Sequence, residues 1–216
     1  MMNIIGTMQH RYWQRRGQRM LGRGKTDAAL RCFQKALLLQ NEPEDTFHLA
    51  LALLGLGRYE EALGYLDKVA AQKPGREVVM LAQADCCLML RRWDEAEATF
   101  VRLAKLRQGS RRYIDYLDLV RDPIRRDRHV ISREFFIEAQ RLLEAKKHRE
   151  ALEKMQEAFE MDQNNALVAN NVGSLMLLLG QSPAEACPFF EKAVAIEPDN
   201  ERYRENLSWL RRKIKA

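Results

Sequence analysis

Small and large apolar residues recur along this chain at a nearly constant distance. One such pair, an alanine followed four residues later by a larger apolar residue, recurs in phase at Ala29, Ala62, Ala96, Ala151 and Ala186. The steps between these alanines are 33, 34, 55 and 35 residues, and 55 equals 34 plus 21. The larger partners are Phe33, Leu66, Phe100, Met155 and Phe190. This repeat at helical spacing predicts stacked helical hairpins over nearly the whole chain.

Each repeat is predicted to contain two helices separated by a short polar break. In the second repeat the helices cover residues 44–56 and 59–72, with Gly57-Arg58 as the break and a proline soon after the second helix. The third repeat has the same layout, with helices over 77–90 and 93–106.

Two further helices are predicted outside the regular repeats. The 21 extra residues fall within 109–131, where apolar residues at helical spacing indicate one unpaired helix that ends at Asp122-Pro123 and is followed by the charged run from Arg125 to Arg128. A last helix is expected from Asp199 to Lys215, with an apolar stripe of Tyr203, Leu207, Leu210 and Ile214 packed on the preceding hairpin.

The recurring residues resemble those of the tetratricopeptide repeat family. The matching positions are Trp13 and Gly17; Leu49, Gly57, Tyr59, Ala62 and Pro74; Trp93, Ala96 and Phe100; Ala151 and Ala158; Gly173, Ala186, Phe190, Ala193 and Pro198. The chain departs from the family pattern at an alanine position, which holds Val69 and Leu103, and at a proline position, which holds Asn41, Gln108 and Gln163. These departures loosen the hairpin geometry without changing the expected fold.

The resemblance implies an all-α fold, a right-handed superhelix of about five tetratricopeptide hairpins with one extra helix between hairpins three and four and a C-terminal capping helix. The expected segments are an N-terminal extension (1–9), an N-terminal half of three hairpins (10–108), an inserted helix with a charged linker (109–131), a C-terminal half of two hairpins (132–200) and the capping helix (201–216).

Composition and cysteine usage favour a cytoplasmic protein. Apolar residues make up 46% of the chain and charged residues 31%, a balance typical of packed helices. The four cysteines all fall inside helical patterns and are interpreted as reduced thiols, which fits a reducing compartment. Residues 1–9 lack the basic start of a secretory signal, and the longest apolar runs are far shorter than the ~20 residues that span a bilayer.

No pattern of residues indicates an active site, a cofactor site or a metal site. The four histidines are His10, His48, His129 and His148, widely separated and outside any ligand motif. Phosphate-binding and dinucleotide-binding glycine motifs are also absent from the sequence. We therefore expect no catalytic residue, no cofactor and no enzymatic activity.

In tetratricopeptide arrays the first helix of each hairpin lines a concave groove that binds peptides. Transferring that pattern to this sequence gives the candidate groove residues Gln14, Gln18, Phe47, Leu51, Leu54, Leu81, Asp85, Leu88, Phe136, Gln140, Asn170, Asn171 and Ser174. The leucines and Phe47 suggest an apolar floor, and the asparagines suggest amides that pair with a peptide backbone. The lysine and asparagine pair with which some family members clamp a C-terminal carboxylate is missing here.

The function that follows is a non-enzymatic scaffold, adaptor or chaperone-like module that binds a peptide segment of a protein partner. An alternative class is binding to nucleic acid or another anionic surface through the basic segment 10–25, which contains no acid and includes the candidate patch Arg11, Arg15, Arg16 and Arg19. Self-assembly is a third alternative, because Ile4, Ile5 and Met8 precede the first hairpin and could cover a groove.

Overall fold

The computed structural model describes residues 4–215, and every regular element in that range is an α-helix. Residues 1–3 of the expected N-terminal extension and residue 216 of the expected capping helix lie outside the described residues. The helices are α1 (Ile4–Gly22), α2 (Thr26–Leu39), α3 (Pro43–Gly55), α4 (Tyr59–Gln72), α5 (Glu77–Met89), α6 (Trp93–Leu106), α7 (Arg111–Arg121), α8 (Pro123–Glu144), α9 (His148–Met161), α10 (Ala166–Leu178), α11 (Pro183–Ile196) and α12 (Glu201–Lys215).

The predicted hairpins are confirmed, as α1/α2, α3/α4, α5/α6, α8/α9 and α10/α11. Each second helix places its repeated alanine at 0% exposure, and the larger partner four residues later is at most 3% exposed. Gly17 on α1 and Gly173 on α10 have the same role on the first helices, because a ring from the second helix, Phe33 or Phe190, lies against each glycine. Small residues at these places let two helix backbones approach closely, and the large partner fills the space beside them.

Each hairpin turn contains one residue with positive φ. Gly24, Gly57 and Gly180 have φ of 70, 75 and 79°, while the non-glycine residues Arg91 and Lys146 have φ of 57 and 61° at the corresponding places. In each turn the next residue donates its backbone N–H to a carbonyl at the end of the first helix, for example Arg58 to Leu53 at 2.9 Å. This left-handed residue closes the end of the first helix and reverses the chain.

The expected N-terminal extension is not a separate segment. Helix α1 begins at Ile4, so residues 4–9 form its first turns. Gln40, in the loop after α2, donates a hydrogen bond to the hydroxyl of Thr7 at 3.2 Å. This bond holds the first turns of α1 against the end of α2. The residues before His10 extend the helix because no proline interrupts them.

The inserted helix is confirmed as α7, which ends at Arg121 before Asp122-Pro123 as expected. Tyr113 of α7 is buried and donates its hydroxyl to Glu77 Oε1 on α5 at 2.5 Å. Arg107 donates to the other oxygen of Glu77 at 2.7 Å. Hydrogen bonds from Tyr113 and Arg107 hold the pKa of Glu77 below its ordinary range. One carboxylate therefore ties α7 to the third hairpin, a pairing that the apolar spacing did not reveal.

The charged run that was expected to form a linker is helical. Proline at the first helical position suits a helix start, and Asp122 accepts hydrogen bonds from the backbone N–H groups of Ile124 at 2.9 Å and Arg125 at 3.1 Å. Helix α8 therefore starts at Pro123 rather than near residue 132. Further along the run, Arg128 donates to the carbonyls of Met161 at 3.0 Å and Glu160 at 2.9 Å, which satisfies the end of α9.

The terminal helix α12 packs largely as expected. Tyr203, Leu207 and Leu210 are buried, but Ile214 is 45% exposed and does not belong to the packed stripe. Ile214 lies in the last turn of α12. Arg211 on the same helix donates to Glu191 at 2.8 Å.

The contacts divide the chain into two compact units, Met1–Arg126 and Asp127–Ala216, and the division falls inside α8. Unit 1 contains the first three hairpins and α7, and unit 2 contains the last two hairpins and α12. Among the described helices, none has a stretch that is both apolar enough and long enough to span a bilayer.

Candidate functional site

The candidate groove residues of unit 1 lie on the first helices α1, α3 and α5, as the resemblance implied. Leu51 and Leu54 on α3 and Leu81 and Asp85 on α5 are half-buried, and Gln18 on α1 is exposed. Leu51 and Asp85 are 34 residues apart and so occupy corresponding places on neighbouring first helices. The partly exposed leucines form the apolar part of a surface that a peptide could contact, and we call the surface formed by these leucines with Gln18 and Asp85 the first-helix face.

Phe47 was expected to be an open anchor on this face, but its side chain is buried. The guanidinium of Arg76 lies over the Phe47 ring at 5.2 Å from its centroid. Arg76 also donates to both carboxylate oxygens of Glu44, at 3.0 and 3.2 Å. The hydrogen bond from Arg76 holds the pKa of Glu44 below its ordinary range. An ion pair therefore covers the ring, and Phe47 contributes packing rather than a free binding position.

Leu88 is also buried, at 2% exposure, and the expectation that it lines an open surface is wrong. Helix α5 is enclosed by neighbouring helices and buries side chains around most of its circumference, including both Cys86 and Cys87. Burial raises the pKa of the Cys86 thiol to about 12 and also raises that of Cys87. The sequence showed a leucine stripe here but not how many sides of the helix are covered.

Gln14 belongs to a buried polar cluster that the sequence did not predict. His10 on α1 and Asp45 on α3 are both buried, and His10 Nε2 is hydrogen-bonded to Asp45 Oδ2. Gln14 donates Nε2–H to the other oxygen of Asp45 at 3.0 Å. The amide of Gln14 is thus engaged in joining α1 to α3. Asp45 lies near the start of α3, where the helix dipole favours a carboxylate.

The same cluster is the one group of described side chains whose composition would suit a metal ion. Glu42 is exposed beside His10 and Asp45, and the ligand atoms of the three residues all lie within 4.8 Å of one another. One imidazole and two carboxylates form a donor set that can bind zinc. In this structure both oxygens of Asp45 already accept hydrogen bonds, so the cluster is complete as a link between α1 and α3.

In unit 2 the expected backbone-reading amide of Asn170 has a structural partner. Asn170 is 2% exposed, and its Oδ1 accepts a hydrogen bond from Asn206 on α12 at 2.8 Å. The backbone carbonyl of Asn170 accepts a hydrogen bond from the hydroxyl of Ser174 at 2.8 Å. Asn170 therefore joins α10 to α12 and is not free to bind a peptide. Asn171 remains half-buried on α10.

The other candidates of unit 2 lie on α8. Phe136 and Gln140 are half-buried, and the guanidinium of Arg133 lies 5.4 Å from the centroid of the Phe136 ring. They keep partial access to solvent, so their predicted role in contacting a ligand stays a prediction.

The candidate anionic-partner patch is exposed along one side of α1. It comprises Arg11, Arg15, Arg16 and Arg19. Arg16 donates to the hydroxyl of Tyr12 at 2.8 Å, and its guanidinium lies 5.5 Å from the centroid of the Trp13 ring. The structure thus brings the four cations together on a helix that also exposes Ile5, Met8 and Tyr12.

Two family models match separate parts of the chain. The model described as "Tetratricopeptide repeat" matches residues 138–201, and the model described as "Anaphase-promoting complex, cyclosome, subunit 3" matches residues 22–103. A curated relative, the human "Protein O-mannosyl-transferase TMTC1", is 24% identical over 206 residues. That alignment covers 88% of this chain but only 23% of the length of the relative.

Solved structures with a similar arrangement of helices share few residues with the chain. One, titled "Crystal structure of YrrB: a TPR protein with an unusual peptide-binding site", has a TM-score of 0.45 and 15% identity, covering 90% of this chain and 89% of that chain. Another, titled "TPR2AB-domain:pHSP90-complex of yeast Sti1", has a TM-score of 0.45 and 13% identity, covering 98% of this chain and 100% of that chain.

Proposed function

Because the chain is a tetratricopeptide repeat protein, we propose that it is a non-enzymatic interaction module that binds a peptide segment of a partner protein. The proposed site is the first-helix face of unit 1. The observation that carries this proposal is the partial exposure of Leu51, Leu54 and Leu81 on α3 and α5, while Leu49 and Leu53 on α3 are buried. Apolar side chains left open on successive first helices can receive apolar side chains of one ligand.

The chemistry around these leucines suggests what such a peptide contains. Apolar anchors would contact Leu51, Leu54 and Leu81, and the exposed amide of Gln18 could pair with a peptide backbone. The ion pair of Arg76 and Glu44 lies beside Phe47 and supplies both signs of charge at the start of α3. We expect a short segment with apolar residues at regular spacing, bound without a requirement for a terminal carboxylate.

We also propose an adaptor, scaffold or chaperone-like role in a reducing compartment such as the cytoplasm. Support for the compartment comes from the cysteines, since Cys32, Cys86, Cys87 and Cys187 are free thiols and three of them are buried in helical packing. A protein that keeps several unpaired cysteines in its core suits an environment where thiols stay reduced. The likeness to the mannosyl-transferase covers only 23% of that protein's length, so we do not propose a transferase activity for this chain.

The test selects peptides from a displayed random library against the purified chain and measures their affinity for variants. Leu51→Ser with Leu81→Ser removes two apolar contacts. Burying one such side chain contributes ~1.5–3 kcal/mol, so the double variant should weaken binding at least about tenfold. The matched control is Leu106→Ser with Ile114→Ser, which removes two exposed apolar side chains from α6 and α7.

Circular dichroism must show that both variants keep the helical content of the parent chain. Equal affinity of the selected peptides for the parent and for Leu51→Ser with Leu81→Ser would move the binding site away from the first-helix face. Failure to select any peptide would argue against peptide binding as the function.

A further inference from the structure

The exposed side of α1 and the end of α2 beside it carry large apolar side chains in contact with water. Ile5, Met8 and Tyr12 on α1 and Leu38 and Leu39 at the end of α2 are between 40 and 87% exposed. The buried side of α1 is marked by His10 and Gly17, so the exposed residues lie on the opposite side. We call this area, with the arginines that continue it, the α1 outer surface. A cluster of this kind is a common feature of protein interaction sites.

The α1 outer surface has two concavities, one on each side of Tyr12. The first, about 580 Å³, is lined by Met8, Arg11, Tyr12, Arg15, Arg16, Arg19 and Met20. The second, about 440 Å³, is lined by Gln9, Tyr12, Trp13, Lys35, Leu38 and Leu39. Each can accept a protruding side chain of a ligand.

The charge of this surface is of one sign, and its arginine row has no carboxylate partner among the described residues. Helix α1 contains no aspartate or glutamate. Within residues 4–215 no carboxylate is paired with Arg11, Arg15 or Arg19. Arg58 and Arg92, in contrast, are each held by a glutamate three residues later. Because Arg11, Arg15 and Arg19 follow one another at a spacing of four residues, they repel one another along one row of the helix. A ligand that supplies carboxylates would relieve this repulsion.

The arrangement of apolar residues and arginines along α1 favours one class of anionic ligand over the others. Along the exposed side of α1 the apolar residues Ile5 and Met8 come first, and Arg11, Arg15, Arg16 and Arg19 follow them, with Tyr12 among the arginines. A helix that lies in a membrane surface separates apolar from charged residues around its axis, which α1 does not do. Nucleic-acid phosphates could pair with the arginines but offer nothing to cover Ile5, Met8 and Leu38.

We propose that the α1 outer surface is a docking site for a helix of a partner protein that is apolar in one half and acidic in the other. The apolar side chains of the partner helix enter the concavities beside Tyr12, and the carboxylates of the partner helix pair with Arg11, Arg15 and Arg19. The arginine row is about 12 Å long at 1.5 Å per residue. Two helical turns of a partner helix with carboxylates three or four residues apart match this length. A second copy of this chain is a poorer partner, because the exposed Trp209 and Ile214 on α12 are separated by the cationic run Arg211, Arg212 and Lys213, which repels the arginine row of α1.

The experiment uses the full chain and a displayed library of helical peptides with glutamate and aspartate in one half and variable apolar residues in the other. The best binder is synthesised with a fluorescent label, together with a permuted peptide of the same composition in which acidic and apolar residues alternate. Binding is followed by fluorescence anisotropy. Vesicles of phosphatidylcholine with phosphatidylserine and a single-stranded oligothymidylate serve as the competing anionic probes.

Two variants test the two halves of the surface. The affinity of the selected peptide should fall about tenfold in each of two double variants. One is Arg15→Gln with Arg19→Gln, and the other is Met8→Ser with Leu38→Ser. Arg202→Gln with Arg204→Gln makes the same change of charge on α12, and Leu106→Ser with Ile114→Ser removes apolar surface elsewhere. Both control variants should bind as the parent does. Added salt should lower the affinity of the peptide for the parent chain more than its affinity for the arginine variant.

The proposal is overturned if the library gives no binder that depends on α1, or if the permuted peptide binds as tightly as the selected one. It is also overturned if vesicles or oligothymidylate bind through α1 and the peptides do not. Peptides selected for the first-helix face should keep their affinity in the α1 variants, so failure of either proposal leaves the other measurable on its own.

Discussion

Gly173 provides a direct test of how the hairpins pack. A Cβ added at this position would lie 2.6 Å from Cε2 and 2.9 Å from Cδ2 of Phe190. Ordinary contacts between carbon atoms are about 3.5–4.0 Å, so the ring would have to move by about 1 Å. Phe190 is 3% exposed and is enclosed by the core of unit 2. The ring therefore has little room to move.

Two opposing effects set the expected result of Gly173→Ala. Replacing a helical glycine by alanine stabilises a helix by about 1 kcal/mol. Overpacking a filled core costs about 1–3 kcal/mol. We expect the overpacking to prevail and the free energy of unfolding to fall by about 1 kcal/mol. Gly17→Ala should behave in the same way, because its added Cβ would lie 2.6 Å from Cε1 of Phe33.

Gly64→Ala is the matched control. Gly64 lies within α4, and nothing surrounds the position of its added Cβ within 4 Å. Only the helix preference then changes, so this variant should be more stable than the parent by about 1 kcal/mol. Urea unfolding followed by circular dichroism, with each transition fitted separately, would show a difference of about 2 kcal/mol between Gly173→Ala and Gly64→Ala.

If Gly173→Ala were stabilised to the same degree as Gly64→Ala, the ring would not lie against Gly173 and the packing described above would be wrong. The double variant Gly173→Ala with Phe190→Leu adds an independent check. Leucine is smaller and leaves room for the new methyl group, so the two substitutions should cost less together than the sum of their separate costs.

Two further predictions follow from ionisable groups. Because the pKa of Glu77 is lowered in the folded state, its contribution to stability is present above the ordinary glutamate pKa of about 4.3 and is lost as the pH falls below it. Glu77→Gln should therefore lower the melting temperature at pH 7 and reduce its further fall in acid, and an unchanged pH profile would contradict the role given to this carboxylate. Among the thiols, Cys187 is the half-buried one and should react first with a thiol reagent under native conditions. Cys86, whose pKa burial raises to about 12, should react only on unfolding, and mass spectrometry of the labelled peptides distinguishes the two.

The helices could be predicted from the sequence because their signals are local. The second helices of hairpins two and three begin and end at the expected residues, Tyr59 to Gln72 and Trp93 to Leu106. Small residues, turn glycines and prolines at a constant spacing fix these bounds within one repeat. The helical start of α8 was also available from its sequence, since Asp122-Pro123 is as typical of a helix start as of a helix end.

The candidate site was less predictable because it depends on pairs that are distant in the sequence. Phe47 is buried because Arg76 lies over it, and Asn170 is engaged because Asn206 reaches it from the terminal helix. Residue spacing identifies which side of a helix a side chain occupies, but it does not identify a partner 29 or 36 residues away that covers it. The same limit applies to the cluster of His10 and Asp45.

The left-handed turns have a consequence for where the array opens. The amides that follow Arg91 and Lys146 make hydrogen bonds of 2.8 and 2.9 Å, as short as the 2.9 Å bond in the glycine turn at Gly57. A non-glycine residue in this conformation nevertheless costs about 1–2 kcal/mol. Local opening should therefore require less free energy in these two turns, and their amide hydrogens should exchange with deuterium sooner than the amide after Gly57. Since these turns belong to the hairpins on either side of the inserted helix, transient fraying is concentrated at the middle of the chain as well as at its ends.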